Sequence, residues 1–325
     1  MTTLYTRRIG SSRRFRIITA ILVPFIFAAC AVDEEDTSAL RVRSVGIVLG
    51  LSGDPTTDRI LPDISDPKAQ LGMKLFFTKG LGGDRDTACA SCHHPVLGGG
   101  DALSLSIGVG AENPDLLGPG RLHSSLADGY DGGPTVPRNA PTTFNSGLWD
   151  QVMFLDGRVE SIGKTVNLNG NDGLGIITPD SDKDDNDDFI ADPDAGDNLP
   201  TAQSRFPVTV AEVMRGFDIN EFAALTTNDE IRTAIETRLA VDWGAEFTDV
   251  FGDATITYAR IAEAIGEYER SQVFVNTPWK AFMEGDDTAI SAAAVSYTHL
   301  RAHETERTIS YAVFCLKNGG GGGGG

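Results

Sequence analysis

A chain of 325 residues with 41% hydrophobic and 22% charged residues has a globular composition, which excludes collagen-like, coiled-coil and wholly disordered architectures. Its formal charge of −19 argues against nucleic acid and against docking on an anionic membrane, because phosphate binding takes clustered Lys and Arg. Four cysteines are too few for a disulfide scaffold, so each must be accounted for singly.

The N-terminal stretch carries Arg7, Arg8, Arg13, Arg14 and Arg16 with no acid, followed by an apolar run from Ile17 to Ala29. A basic n-region, a short h-region and small residues before Cys30 describe an export signal over 1–29. The run is short for a bilayer span, which takes about 20 residues. Phe27-Ala28-Ala29-Cys30 resembles a bacterial lipobox. Cys30 is thus the expected lipidated N-terminus of an exported protein of the periplasm or cell envelope, with an ordinary cleaved signal as the alternative. Residues 30–65, mixed and acidic and broken by Gly53, Pro55 and Pro62, read as a flexible tether.

Asp66-Pro67 opens a helix, with the aspartate as cap and the proline in the first turn. Leu71, Leu75 and Phe76 give it one apolar face, and Gly80 to Gly83 are expected to end it. From Gly98 to Pro141 the chain is rich in Gly and Pro, which predicts long irregular loops. An acidic insertion spans 167–200. Its segment Asn171–Asp197 holds ten aspartates and one lysine. Asp180, Asp182, Asp184 and Asp188 alternate as in a calcium loop, where the cation takes roughly six to eight oxygens. Asp185 stands where such loops carry glycine, and the twelfth position lacks its glutamate. A solvated acidic loop is the alternative.

Thr227 and Glu230 form a capping box ahead of Ile231, Ile235 and Leu239. Tyr258, Ile261, Ala262, Ile265 and Tyr268 mark a second clear helix. No strand alternation is evident, so the expected fold is mainly α with long loops. From Val295 the chain reads VSYTHLRAHE, later ISYAVFCL, and then seven glycines. These words translate a sequencing-library adapter in a single frame. Residues 295–325, with His299, His303 and Cys315, are therefore set aside, and the native chain is expected to continue past Ala294.

Cys89-Ala90-Ser91-Cys92-His93 is the attachment signature of haem c. One turn of chain places both sulfurs to add to the two vinyl groups, while the following imidazole reaches the iron. Zinc would need two further thiols or imidazoles, and a redox dithiol would need a βαβ setting; neither is in evidence. Export fits, since haem c is attached outside the cytoplasm. His94 reads as a loop residue. His123 is a candidate distal ligand or acid–base group, or equally a surface histidine. Met73 and Met153 are further axial candidates, although Met at helical apolar spacing is more often core.

Around this signature, LGMKLFFTKGLGG, CASCHHP, VPRNAPTTFNSG, FLDGRVESI and RFPVTVAEVMRG resemble the bacterial di-haem cytochrome c peroxidases and their MauG relatives, over about Pro67 to Ala294. The resemblance implies a cytochrome c-like peroxidatic haem domain at 66–252. A helix at 253–294 would lead into a second haem domain that this chain does not contain, giving one haem here and two in the full protein. It implies reduction of hydrogen peroxide to water with electrons from a small cytochrome or cupredoxin. A MauG-like oxidase and a mono-haem electron carrier are the alternatives. Cys89, Cys92 and His93 would hold the haem. Gln203, Pro207 and Glu212, the last before Met214, match the family's distal pocket, with Glu212 as acid–base group and one residue out of register. Asn139 matches a position associated with calcium, and Asp156, Gly157 and Arg158 match the DGR word. Leu155 stands where the family often has Trp, and Trp149 lies nearby but off register.

Overall fold

The computed structural model describes residues 34–51, 53–217 and 221–297. The expected export signal and Cys30 lie outside these residues, as does the tail from residue 298. The chain forms two compact units, one of residues 56–275 and one built from the segments up to Pro55 and from Asn276 onward. Among the described residues no helix is long and apolar enough to cross a membrane.

In the terminal unit, helix α1 (Glu34–Val48) occupies much of the stretch read as a tether, so that expectation is corrected. Val42 packs with Phe282 and Met283 in a small apolar cluster, and the Arg43 Nε donates to the Phe282 carbonyl at 2.9 Å. Burial of one helix face against a second short helix, Pro278–Met283, supplies the order that composition alone did not suggest.

The larger unit is mainly helical. Helix α2 (Pro67–Phe77) starts with proline in its first turn, as expected. Asp66 takes the cap position but its side chain caps nothing; its carboxylate instead accepts the Asp63 N–H at 2.9 Å. The helix stops at Phe77, before the glycines, and a 3-10 turn at Lys79–Leu81 follows. Helix α3 is the single turn Cys89–Cys92, and α4 spans Leu199–Gln203. Helix α5 (Asn228–Leu239) carries the capping box of Thr227 and Glu230, then α6 covers Gly244–Phe251 and α7 Tyr258–Ser271.

Helix α7 is the centre of this unit. Its buried face, Tyr258, Ile261, Ala262, Ile265 and Tyr268, meets Leu71, Leu75 and Phe76 of α2 and Ile231 and Ile235 of α5 in the main core. Contact with α2 is intimate at Gly72, where a Cβ would lie 1.8 Å from the Ala264 carbonyl oxygen. A three-stranded antiparallel sheet, β1 (Val152–Met153), β2 (Val159–Ser161) and β3 (Ile176–Ile177), pairs Met153 with Val159 and Glu160 with Ile177. Strands of two or three residues are too short to display alternation, which is why the sequence hid them. Met153, Val159, Ile176 and Leu199 form a second small core beneath the sheet.

The acidic insertion is built into the fold. Ile176 and Leu199 are among its buried residues. Its Asp192 pairs with Arg205, both side chains nearly inaccessible, and accepts the Thr178 hydroxyl. Asp180 pairs with Arg232 of α5 at 2.7 Å. Two buried arginines outside the insertion thus hold it down, so it is not a wholly solvated loop. Between 98 and 141 the chain is irregular, as the Gly and Pro content predicts.

Candidate functional site: the Cys89–His93 cavity

The attachment turn is held by its own short-range bonds. The Ser91 hydroxyl accepts the Ala88 N–H at 3.0 Å, and the His93 N–H donates to the Cys89 carbonyl at 2.9 Å. Cys89 and Cys92 are both free thiols. Burial pushes the Cys89 thiol up to about 12, with the charge of Glu269 adding to the effect. Burial, aided by Asp101, pushes Cys92 up to about 11. Thiols so held stay protonated at neutral pH, which does not suit a redox nucleophile.

His93 is the partner such a turn needs. Its Nδ1 lies 3.0 Å from the Pro141 carbonyl and 3.2 Å from that of Gly99. Carbonyls only accept, so Nδ1 carries the hydrogen and Nε2 is left with its lone pair. Burial lowers the ring's basicity more than these carbonyls raise it, which keeps the imidazole neutral. Orienting a metal-binding imidazole through its other nitrogen is a general device.

The turn opens onto a cavity of about 1040 Å³, at the upper end of the roughly 300–1,000 Å³ of ordinary ligand pockets. Phe76, Leu81, Val208, Met214 and Ile265 give it apolar walls, and Cys89, Cys92 and His93 lie in its lining. Protonated thiols, a bare imidazole nitrogen and a large apolar volume together fit a covalently attached haem. These three residues would hold it.

Gln203, at the end of α4, and Pro207, in a 3-10 turn at Pro207–Thr209, line the same cavity. Glu212 does not. It lies in a π-turn, Ala211–Arg215, in which the Arg215 and Gly216 N–H groups reach back five residues to Val210 and Ala211. The wider turn directs Val213 and Met214 to the cavity and leaves Glu212 out of it. The mismatch in register seen in the sequence is therefore real in space, and the assignment of Glu212 as the cavity acid–base group is corrected.

His123 is also elsewhere. It is buried, its Nδ1 donates to the Gly133 carbonyl at 2.8 Å, and its ring meets Tyr130 edge-on. It is absent from the cavity lining, so it is neither the surface histidine nor a distal ligand. His94 accepts the Val96 N–H through Nδ1 and stands edge-on to Phe77. Met153 lines the cavity, whereas Met73 packs on the main core.

The calcium expectations fare less well. Among the described residues no group of three His, Cys, Asp or Glu side chains is arranged to hold a metal ion. Asp180 is taken by Arg232 and by the Asn228 amide. Asp184 turns its carboxylate onto the Asn186 and Asp188 N–H groups, and Asp182 and Asp188 are exposed. Alternating carboxylates here stabilise a turn instead of converging. Asn139 lines the cavity and donates its amide to the Leu103 carbonyl.

At the rim, Arg158 pairs with Asp156 at 2.7 Å and stacks on Phe154, its guanidinium carbon 3.6 Å from the ring centroid. Phe154 holds a left-handed backbone, φ +66°, costly for a bulky residue. Leu155 is 96% exposed and Trp149 46%, and both border the cavity. Two features had escaped the sequence reading: Val213 in the lining, and Glu269 of α7, a buried carboxyl that also faces it. Glu269 stands seven residues after Ala262 on the apolar stripe, and that spacing was the available signal.

The family model described as di-haem cytochrome c peroxidase matches residues 66–288. The chain is 23% identical over 241 residues to the methylamine utilization protein MauG of Methylophilus methylotrophus, covering 73% of this chain and 50% of that protein. It is 31% identical over 101 residues to the cytochrome c551 peroxidase of Pseudomonas aeruginosa, covering 31% of this chain and 22% of that one. The chain thus spans half or less of the length of these two relatives. Among solved structures, a MauG-like protein associated with microbial copper homeostasis aligns with a TM-score of 0.42 at 18% identity, over 71% of this chain and 49% of that one.

Proposed function

The chain belongs to the di-haem cytochrome c peroxidase family, and from that premise we propose that its cavity is the peroxidatic haem site of an exported enzyme. That enzyme reduces hydrogen peroxide to water with electrons from a small cytochrome or cupredoxin. The observation that carries this reading is the meeting of Cys89, Cys92, His93, Gln203 and Pro207 in one cavity.

Each residue has a part that follows from its chemistry. The two thiols form thioethers and fix the haem in one orientation. His93, held through Nδ1, offers Nε2 to the iron. The bound haem supplies a redox-active iron and the electrons that a peroxide bond takes up on cleavage. Gln203 presents an amide that can donate to and accept from a small oxygen ligand. Pro207 and the apolar wall exclude water, which strengthens every polar contact inside. The basic leader and the lipobox-like Cys30 support a location outside the cytoplasm, with a lipid anchor or an ordinary cleaved signal at that end.

The test is direct. The haem-loaded protein is mixed with hydrogen peroxide and then with a reduced small cytochrome. A prompt change in the haem absorption followed by oxidation of the cytochrome is expected. A haem spectrum unmoved by excess peroxide would overturn the reading and leave an electron carrier.

A further inference from the structure

Among the described residues, the carboxyl groups that line the cavity belong to Asp156 and Glu269. Asp156 is engaged at the rim in its pair with Arg158, and both side chains are substantially exposed. Glu269 is different: it is 5% exposed, and its carboxyl makes no hydrogen bond or ion pair with any described residue. A buried carboxyl without a partner is costly, and nothing in the packing of α7 explains it.

Its placement does. Ala262, Gly266 and Glu269 share one face of α7. The Ala262 carbonyl accepts the Ser204 hydroxyl at 3.2 Å, and a Cβ on Gly266 would meet the Thr201 hydroxyl oxygen at 2.3 Å. The face that carries Glu269 is therefore the one pressed against α4, the helix that ends in Gln203. From this geometry we infer that Glu269 is the acid–base residue of the haem cavity, in the role the resemblance gave to Glu212. The inference rests on the peroxidase reading above.

The surroundings leave this carboxyl its proton. Cys89, whose thiol feels the charge of Glu269, becomes an uncharged thioether once haem is attached. Tyr268, its neighbour on α7, feels the same charge. The other elements packed on α7 bring Lys68 and Lys74 from α2 and Arg232 and Glu236 from α5. Each is taken elsewhere: Lys68 by Glu263, Lys74 by Glu246, Arg232 by Asp180, and Glu236 by the Tyr258 N–H. Burial alone then pushes Glu269 up to about 8. A proton donor works best with a pKa near the operating pH.

The step balances. Glu269 gives its proton to one oxygen of hydrogen peroxide, the O–O bond breaks, and that oxygen leaves as water with the bond pair. The carboxylate recovers a proton from the other oxygen. The remaining oxygen takes two electrons from the haem and its protein donor, and two protons from solvent, and leaves as a second water.

The experiment compares the haem-loaded native protein with Glu269→Gln, Glu269→Asp and Glu212→Gln, each checked for equal haem content. The first readout is the rate of the haem absorption change on mixing with hydrogen peroxide. Glu269→Gln should slow it by about 10²–10⁴-fold, Glu269→Asp should recover part of the loss, and Glu212→Gln should react at close to the native rate. The second readout needs no peroxide: the haem midpoint potential is followed against pH. It should titrate in the native protein and in Glu212→Gln, and lose that titration in Glu269→Gln. A reactive native protein with an equally reactive Glu269→Gln variant, or a titration that survives in Glu269→Gln, overturns the inference alone. A native protein inert to peroxide overturns the peroxidase reading and the inference with it.

Discussion

Gly72→Ala tests the packing that underlies the whole site. Alanine is the better helix former, by about 1 kcal/mol per residue, so propensity alone predicts stabilisation. The structure predicts the reverse. The new Cβ would lie 1.8 Å from the Ala264 carbonyl oxygen and 2.5 Å from its carbon, whereas ordinary contact begins at 3.4 Å, so α2 and α7 must part by about 1.6 Å. The obstacle is backbone, which cannot rotate aside as a side chain would. Overpacking of a core costs about 1–3 kcal/mol, and a backbone clash of this depth belongs at the upper end. Subtracting the propensity gain leaves a net loss of about 2 kcal/mol. For a unit of this size that lowers the melting temperature by about 4–8 °C. The assay is thermal unfolding followed by far-UV circular dichroism on the haem-loaded protein. Gly244→Ala serves as the control, because its Cβ would meet only Ala254 at 3.5 Å. If Gly72→Ala melted at or above the native temperature, close approach of α2 and α7 would not be what Gly72 provides, and the packing argument would fail.

Three other expectations follow from particular contacts. Asp192→Ala leaves Arg205 buried without its main partner, a loss of about 3–5 kcal/mol, read by urea denaturation; a change below 1 kcal/mol would show the pair to be solvated. Acid should act through Asp150. Burial alone would raise its carboxyl, but Arg59 and the Asn169 and Asn167 N–H groups outweigh it and hold it below the usual range. A depressed carboxylate stabilises above its unfolded value of 3.8 and ceases to do so as pH falls through the folded one. Stability should thus drop in acid, more gently in Asp150→Asn, and identical acid limbs would refute this. Finally, Cys89→Ala with Cys92→Ala should leave haem extractable by acidified organic solvent, while the native haem stays with the chain; retention in the double variant would dismiss the thioethers.

Much of this was written plainly in the chain. The capping box at Thr227 and Glu230 is local chemistry, complete within four residues, and it appears as expected. The stripe from Tyr258 to Tyr268 is periodic and long enough to be unambiguous. Cys89, Cys92 and His93 are adjacent, so their meeting needed no knowledge of the fold. What the sequence hid depends on distant partners. Arg205 and Arg232 are buried only because aspartates of the insertion reach them. Glu212 was misplaced because a π-turn alters the periodicity within a single turn. Glu269 was not singled out, although its spacing from Ala262 puts it on the buried face.

Arg205 lies two residues after Gln203 and two before Pro207, so the acidic insertion and the cavity wall share one anchor. Neither can loosen without releasing the other. The insertion therefore contributes to a single cooperative opening unit, a foldon in the language of native-state exchange. The amides of Thr178 and Asp192 and those of Gln203 and Thr209 should exchange with solvent deuterium at a common opening free energy, although they lie on separate stretches of chain. An appendage of aspartates then acts as the clasp that keeps the cavity wall closed.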